Sequence, residues 1–142
     1  MKKSIIFCAL LALFCSCSND NIKAITTAYH GKWELYKMSG NLPNSETTGT
    51  GMEWQESYTF KTDGSFTKSR TRNGEKTELS GTYVFLKVQE ESFLELTYKI
   101  DNDIIGSCYG NNKEELYILP NSILSSTWRN CDGPGLEYKK VN

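Results

Sequence analysis

The sequence has very few residues of the kinds that build metal and redox sites. It contains one histidine, His30, and no two cysteines spaced as C-x-x-C, so neither a zinc site nor a dithiol redox motif is indicated. Charge of one sign is also not in excess, with 16 basic against 17 acidic residues and no basic run. Without a basic surface, nucleic acid is not an expected partner. After Asp20 no long apolar run occurs, which leaves no candidate for a membrane-spanning helix in the rest of the chain.

A catalytic constellation is missing as well. His30 has no neighbouring nucleophile in a known motif, and Asp101 and Asp103 begin like a calcium loop that lacks the later acidic ligands. Glu34 and Glu56 could act as an acid and base pair, but nothing in the sequence brings them together. The sequence therefore predicts a protein that is not an enzyme and holds neither a metal nor a cofactor.

The first residues have the pattern of an export signal. Lys2 and Lys3 precede an almost wholly apolar stretch at 4–14, which is shorter than the ~20 residues of a membrane-spanning helix. The residues that follow, Phe14-Cys15-Ser16-Cys17, resemble the cleavage box of bacterial lipoproteins. That resemblance implies removal of 1–16 and a lipid on Cys17; ordinary secretion is the alternative.

Several expectations follow from the leader. Residues 17–30 are polar and form a lipidated tether, and residues 31–142 form one domain. A lipid on Cys17 would attach the protein to the outer membrane, facing the periplasm or the cell surface. Cys108 and Cys131 remain as an even pair in an exported domain, so they are expected to form a disulfide, with a redox or metal site as the rival interpretation. The loop that they close corresponds to roughly 3 kcal/mol of stabilisation.

The rest of the chain alternates between short apolar and polar positions and is rich in turn residues. In 53–62, for example, Trp54, Glu56, Tyr58 and Phe60 share one side. Asp63-Gly64 and Asn73-Gly74 are hairpin signals. The pattern predicts strands at 32–39, 53–62, 65–72, 76–88, 92–100, 104–109, 114–119, 123–130 and 136–141. Sequential hairpins favour an all-β, up-and-down antiparallel barrel of about eight strands, with an open sandwich as the alternative.

Particular motifs carry a resemblance to a family. Gly31-Lys32-Trp33 at the start of the first strand, then YTFKTDGSF, SGTYVF and the closing LEYKKV, resemble the lipocalin-like domains of bacterial lipoproteins from Gly31 to Val141. The resemblance implies that Trp33 plugs the barrel end, that Gly31 permits close backbone approach, and that Arg129 packs on Trp33. The lipocalin motif between the later strands and the C-terminal helix are missing.

The resemblance also implies a ligand cup, whose lining depends on the strand 65–72. Its small face carries Ser65, Thr67, Ser69 and Thr71, and its other face carries Phe66, Lys68, Arg70 and Arg72. Because burying charge is costly, the small face is expected inside; with the basic face inside, the cations could neutralise an acidic head group. The expected ligand contacts are Tyr58, Phe60, Ser65, Thr67, Ser69, Tyr83, Tyr98 and Trp128.

Two functions remain in view at this point. The first is binding of a small hydrophobic or amphipathic ligand by a monomeric, membrane-anchored barrel. The second is an envelope interaction module, or an inhibitor of lysozymes or proteases, without a ligand cavity. This second function places the contact with the partner protein on the exposed loop residues 41–51.

Overall fold

The computed structural model describes residues 28–142, so the predicted signal peptide, Cys17 and the tether up to residue 27 lie outside the described residues. The regular secondary structure of the described part is almost all β-strand. No helix in it is long and apolar enough to cross a bilayer. The strands are β1 Gly31–Ser39, β2 Thr47–Thr48, β3 Gln55–Phe60, β4 Ser65–Arg72, β5 Glu75–Val88, β6 Glu91–Tyr98, β7 Lys113–Leu119, β8 Ile123–Ser126 and β9 Gly135–Val141.

The strands close into an antiparallel barrel. From β3 to β9 each strand pairs with the next, β3 also pairs with β1, and β9 returns to β1 with Leu35 opposite Tyr138. The short β2 pairs with the same edge of β1 as β3, at Lys37 and Met38, beyond the point where β3 ends. The predicted up-and-down barrel of about eight strands is confirmed, with one extra strand, and closure leaves few free edges.

One predicted strand is absent and another is shorter than predicted. Residues 104–109 form no strand, because Ile104, Ile105 and Gly106 are all buried and a strand would turn every second one outward. They belong instead to an irregular segment that covers one end of the barrel. The predicted strand 123–130 stops at Ser126, whose hydroxyl accepts the Trp128 N–H and starts a 3-10 turn at Thr127–Cys131.

The turn signals are confirmed to different degrees. Asn73 and Gly74 both have positive φ, 54° and 83°, and form the two-residue β4–β5 hairpin turn. Asp63-Gly64 lies instead in the longer turn 61–64, where only Gly64 has positive φ. The Asp63 carboxylate accepts the backbone N–H and the hydroxyl of Ser65 there.

The two ends of the barrel differ in composition. The lower end holds Gly31 and the β3–β4, β5–β6 and β7–β8 turns. Aromatic rings packed edge to face fill the interior near it, with Phe60 4.9 Å from Tyr83 and Phe66 4.9 Å from Tyr98 between ring centroids. The upper end holds residues 40–46, the β4–β5 turn, residues 101–109 and the 3-10 turn Thr127–Cys131. The long loops therefore gather at the upper end.

Gly31 and Trp33 lie near the lower end. Gly31 has φ of 113°, which favours glycine, and Trp33 is 1% exposed. The Trp33 indole N–H donates to the Tyr29 carbonyl at 2.9 Å, and its ring stacks on Tyr29. Trp33 is thus a core residue at the closure between β1 and β9.

The predicted disulfide between Cys108 and Cys131 is present, with the two Cα atoms 5.6 Å apart. Cys108 lies in the irregular segment between β6 and β7 rather than on a strand, and Cys131 ends the 3-10 turn. The bond therefore ties the covering segment to the 3-10 turn at the same end of the barrel.

Candidate functional site

The inner face of β4 is the basic one. Lys68 is fully buried and Arg70 is 7% exposed, whereas Ser65, Thr67 and Ser69 are half-buried on the outer face. The prediction that the small face points inward is wrong. Its premise was the cost of burying charge, but the interior supplies partners for both cations.

Glu114 on β7 is the first of these partners. Its carboxylate accepts Lys68 Nζ at 3.0 Å, the Tyr58 hydroxyl at 3.0 Å, and the Gly106 backbone N–H at 3.2 Å. The Tyr98 hydroxyl donates to its second oxygen. Four donors from four segments of the chain thus converge on one fully buried carboxylate.

Glu56 on β3 is the second partner. It accepts the Tyr138 hydroxyl at 2.6 Å and Arg70 Nε, and Lys68 Nζ lies 3.3 Å away. The side chains of Glu56 and Lys68 are completely buried. The two carboxylates and two cations balance in charge, and we call these four residues with Tyr58, Tyr98 and Tyr138 the interior network.

The interior network spans the barrel from wall to wall. Tyr58 lies on β3 and Glu114 on β7, which are opposite strands in the closed order of eight, and the two side chains are hydrogen-bonded. Side chains therefore occupy the barrel axis at this level. An eight-stranded barrel is just wide enough to be filled in this way.

The structure separates the expected ligand-contact residues into three groups. Tyr58, Phe60, Tyr83 and Tyr98 are buried in the packed interior. Ser65, Thr67 and Ser69 lie on the outer wall, and Trp128 lies half-buried in the 3-10 turn at the upper end. No single surface joins them.

Three tyrosines of the network have altered acidity. Burial, reinforced by the nearby carboxylates, raises the pKa of Tyr58, Tyr98 and Tyr138 well above the ordinary value of 10.0. Because the folded pKa of each phenol lies above its unfolded pKa, the folded state holds the proton more tightly, and the unfolded chain gains by releasing it once the pH exceeds the unfolded pKa. The contribution is complete below the unfolded pKa and is lost as pH rises toward the folded pKa.

We therefore expect these three phenols to resist ionisation until the protein unfolds, at a pH above about 10. The check is an alkaline titration that follows phenolate absorbance and far-UV circular dichroism together. Tyr98→Phe should remove one of the late-ionising phenols. Full ionisation of every tyrosine while the circular dichroism stays unchanged would show that the network is open to water.

A second cluster lies at the upper end of β3 and β4. Arg70 and Arg72 lie 4.4 Å and 5.5 Å from the Trp54 ring, and Arg72 also pairs with Glu53 at the surface. The buried Trp54 indole N–H has no hydrogen-bond partner among residues 28–142. Both arginines are already paired with carboxylates, so this cluster presents no free cation to a ligand.

Arg129 does not meet Trp33. It lies in the 3-10 turn and lines a surface groove with Ser39 and Glu137, at the opposite end of β1 from Trp33. The expected packing of Arg129 on Trp33 is therefore wrong. The reason is that the chain between β8 and β9 carries Arg129 to the upper end, while Trp33 lies near the lower end.

The surface groove has a volume of about 610 Å³, and the loop 40–46 forms much of its lining. Glu137 in its wall accepts the Tyr36 hydroxyl at 2.5 Å, and its other carboxylate oxygen lies 2.9 Å from Lys37 Nζ. Burial opposes ionisation, but these two contacts hold the pKa of Glu137 below its ordinary range. The groove is thus polar and carries a permanently charged carboxylate at neutral pH.

The loop 40–46, which we call the upper loop, is ordered by its own hydrogen bonds. The Ser45 hydroxyl donates to the Leu42 carbonyl at 2.6 Å and accepts the Gly40 N–H at 3.0 Å. The Ser45 N–H donates to the same Leu42 carbonyl. Leu42 itself projects outward and is 77% exposed. The upper loop therefore presents an apolar side chain on a closed, hydrogen-bonded turn.

The sequence analysis considered Glu56 only as an acid–base partner of Glu34 and did not expect Glu56 and Glu114 to be buried partners of cations, although a signal was present. Glu56 alternates with Trp54, Tyr58 and Phe60, and an acidic residue on an aromatic face has to find a buried partner. Within the described part of the chain, no group of three or more histidine, cysteine or acidic residues is arranged to hold a metal ion.

No family model, no curated protein and no solved structure matches this chain.

Proposed function

We propose that this protein is a lipid-anchored envelope protein that acts by binding another protein through the upper end of a lipocalin-like barrel. Its lipid is on Cys17. The observation that carries the proposal is the upper loop, where Leu42 is exposed on a turn held by Ser45. The side chains that fill the barrel axis give less support to a small hydrophobic or amphipathic ligand inside it.

The order of the upper loop matters for affinity. A flexible loop loses conformational freedom when it binds, and that loss subtracts from the binding free energy. The three hydrogen bonds around Ser45 restrict the loop before any partner arrives. An exposed leucine on such a loop suits insertion into the cleft of a folded partner, which supports an inhibitor of a lysozyme or a protease as the specific class.

The position of the tether agrees with this arrangement. The described chain begins at Ala28, whose carbonyl accepts Lys140 Nζ at 3.0 Å, so the tether joins the barrel near its lower end. The residues between Cys17 and Ala28 span at most about 40 Å. A lipid on Cys17 would hold the lower end toward the membrane and leave the upper loop free to face a partner.

Site-specific photo-crosslinking tests the proposal in the envelope of the producing bacterium. A photoreactive residue at Leu42 is expected to give a covalent adduct of one discrete mass, because that side chain enters the partner. The matched control is Val84, an apolar residue on the outer wall of β5 that is 51% exposed. Equal adducts at both positions, or none at Leu42, would contradict the proposed contact.

The purified domain then tests the class of partner. We expect inhibition of a lysozyme or a protease at micromolar protein, with at least about a tenfold loss for Leu42→Asp. Val84→Asp should leave inhibition unchanged. A small molecule that is released only on denaturation, together with no protein adduct, would favour the ligand-binding alternative instead.

A further inference from the structure

The irregular segment at residues 101–109, which we call the cap, closes the upper end over the interior network. The Ile104 carbonyl accepts Arg70 Nη2 at 3.2 Å, and the Gly106 N–H donates to Glu114 at 3.2 Å. The side chains of Ile104 and Ile105, which belong to the cap, are buried. The cap thus contacts the buried charges directly through its backbone.

The cap differs from a segment that covers a purely apolar core, because it covers charged side chains. Lifting a segment from an apolar core exposes surface that water solvates poorly. Lifting the cap would instead return Arg70 and Glu114 to water, which solvates ions well and offsets part of the cost of their burial. The cap forms no ladder with any strand, and its noncovalent contacts with the barrel interior are the two backbone hydrogen bonds above and the packing of Ile104, Ile105 and Gly106.

The disulfide supplies the remaining connection. Cys108 near the end of the cap is bonded to Cys131 of the 3-10 turn, and both residues are exposed at the surface. Trp128 of the same turn packs against Gly106, where an added Cβ would lie 3.0 Å from its ring. The covalent bond therefore holds the cap where its backbone meets Glu114, and a reductant in solution can reach it.

We propose that the Cys108–Cys131 disulfide is a redox-sensitive latch on the cap. A dithiol reductant attacks one sulfur, the S–S bond breaks, and a second attack within the mixed disulfide releases the reductant as its own disulfide. Two electrons and two protons pass to the protein, which leaves two thiols. The cap then opens and admits water to the interior network while the barrel strands stay paired.

Hydrogen exchange of the whole protein, measured by mass spectrometry with and without dithiothreitol, tests the latch. After reduction we expect the amides of Ile104, Ile105 and Gly106 to exchange at least about tenfold faster. The β3–β4 hairpin, at the other end of the barrel, should change less than about twofold. Unchanged exchange in the cap, or an equal rise in the cap and the hairpin, would overturn the proposal in favour of a general staple.

Two variants separate the latch from other effects of reduction. Cys108→Ser combined with Cys131→Ser should reproduce the reduced pattern without any reductant. Gly106→Ala places a Cβ 2.8 Å from Glu114 and disturbs this contact while the disulfide stays intact. We expect its cap to exchange more slowly than the cap of the reduced protein, and equal exchange would show that the disulfide does not hold the cap. If the double variant fails to fold, the reduced wild-type protein still decides, because its hairpin reports on the barrel independently.

Discussion

Glu114→Ala is expected to lower the free energy of unfolding by about 3–5 kcal/mol, because it removes one partner from a buried charge pair. The change leaves Lys68 with only Glu56, which Arg70 already engages. It also removes the acceptor of the Tyr58 and Tyr98 hydroxyls inside the barrel. Unpaired polar groups at full burial lose their hydration without compensation.

The measurement is urea unfolding at neutral pH with the disulfide intact, followed by far-UV circular dichroism. The matched control is Glu115→Ala, one position along β7, where the side chain points outward and accepts a hydrogen bond from Tyr109. A partly exposed contact of that kind contributes less than about 1 kcal/mol. Similar small losses for both variants would mean that the interior network adds nothing to stability.

Gly81→Ala is expected to destabilise the barrel by about 3 kcal/mol or more, because the new methyl group has no room. A Cβ at this position would overlap the Thr97 carbonyl oxygen and lie 2.9 Å from the Phe66 ring. Gly81 pairs with Tyr98 on one side and with Phe66 on the other, so neither backbone can withdraw without breaking a ladder. Glycine at this position allows three strands to pack closely.

The control for Gly81 is Gly51→Ala, in the exposed turn before β3. An added Cβ there meets nothing within 4 Å, and its φ is not in the positive range. We expect its free energy of unfolding to change by less than about 0.5 kcal/mol. Thermal and urea unfolding of both variants measure the two losses. A loss of stability for Gly81→Ala as small as that for Gly51→Ala would contradict the explanation.

The local sequence pattern was sufficient to predict much of the architecture. The observed bounds of β4 match the predicted 65–72, and Asn73-Gly74 forms the expected hairpin turn. These features depend on neighbours in the sequence, on the period of two in a strand and on the φ values that asparagine and glycine tolerate. The pairing of Cys108 with Cys131 was predicted from an even number of cysteines in a domain expected to be exported, and the structure contains it.

The segment 104–109 shows where local pattern fails. Its apolar residues were assigned to a strand because short apolar runs are typical of buried strands. Ile104 and Ile105 are indeed buried, but they are buried by covering the end of a barrel that other segments build. A strand would turn one of these two neighbours outward, whereas a covering position over the end of the closed barrel buries both.

Only the tertiary structure decides which face of β4 points into the barrel. Alternation placed Lys68 and Arg70 on one face and Ser65, Thr67 and Ser69 on the other, and that grouping is correct. Which face points inward depends on the partners available inside, and Lys68 finds Glu114 at 46 residues' separation in the chain. Within a strand, sequence determines which side chains share a face. When both faces are polar, only the charges that other strands bring to the interior decide which face is buried.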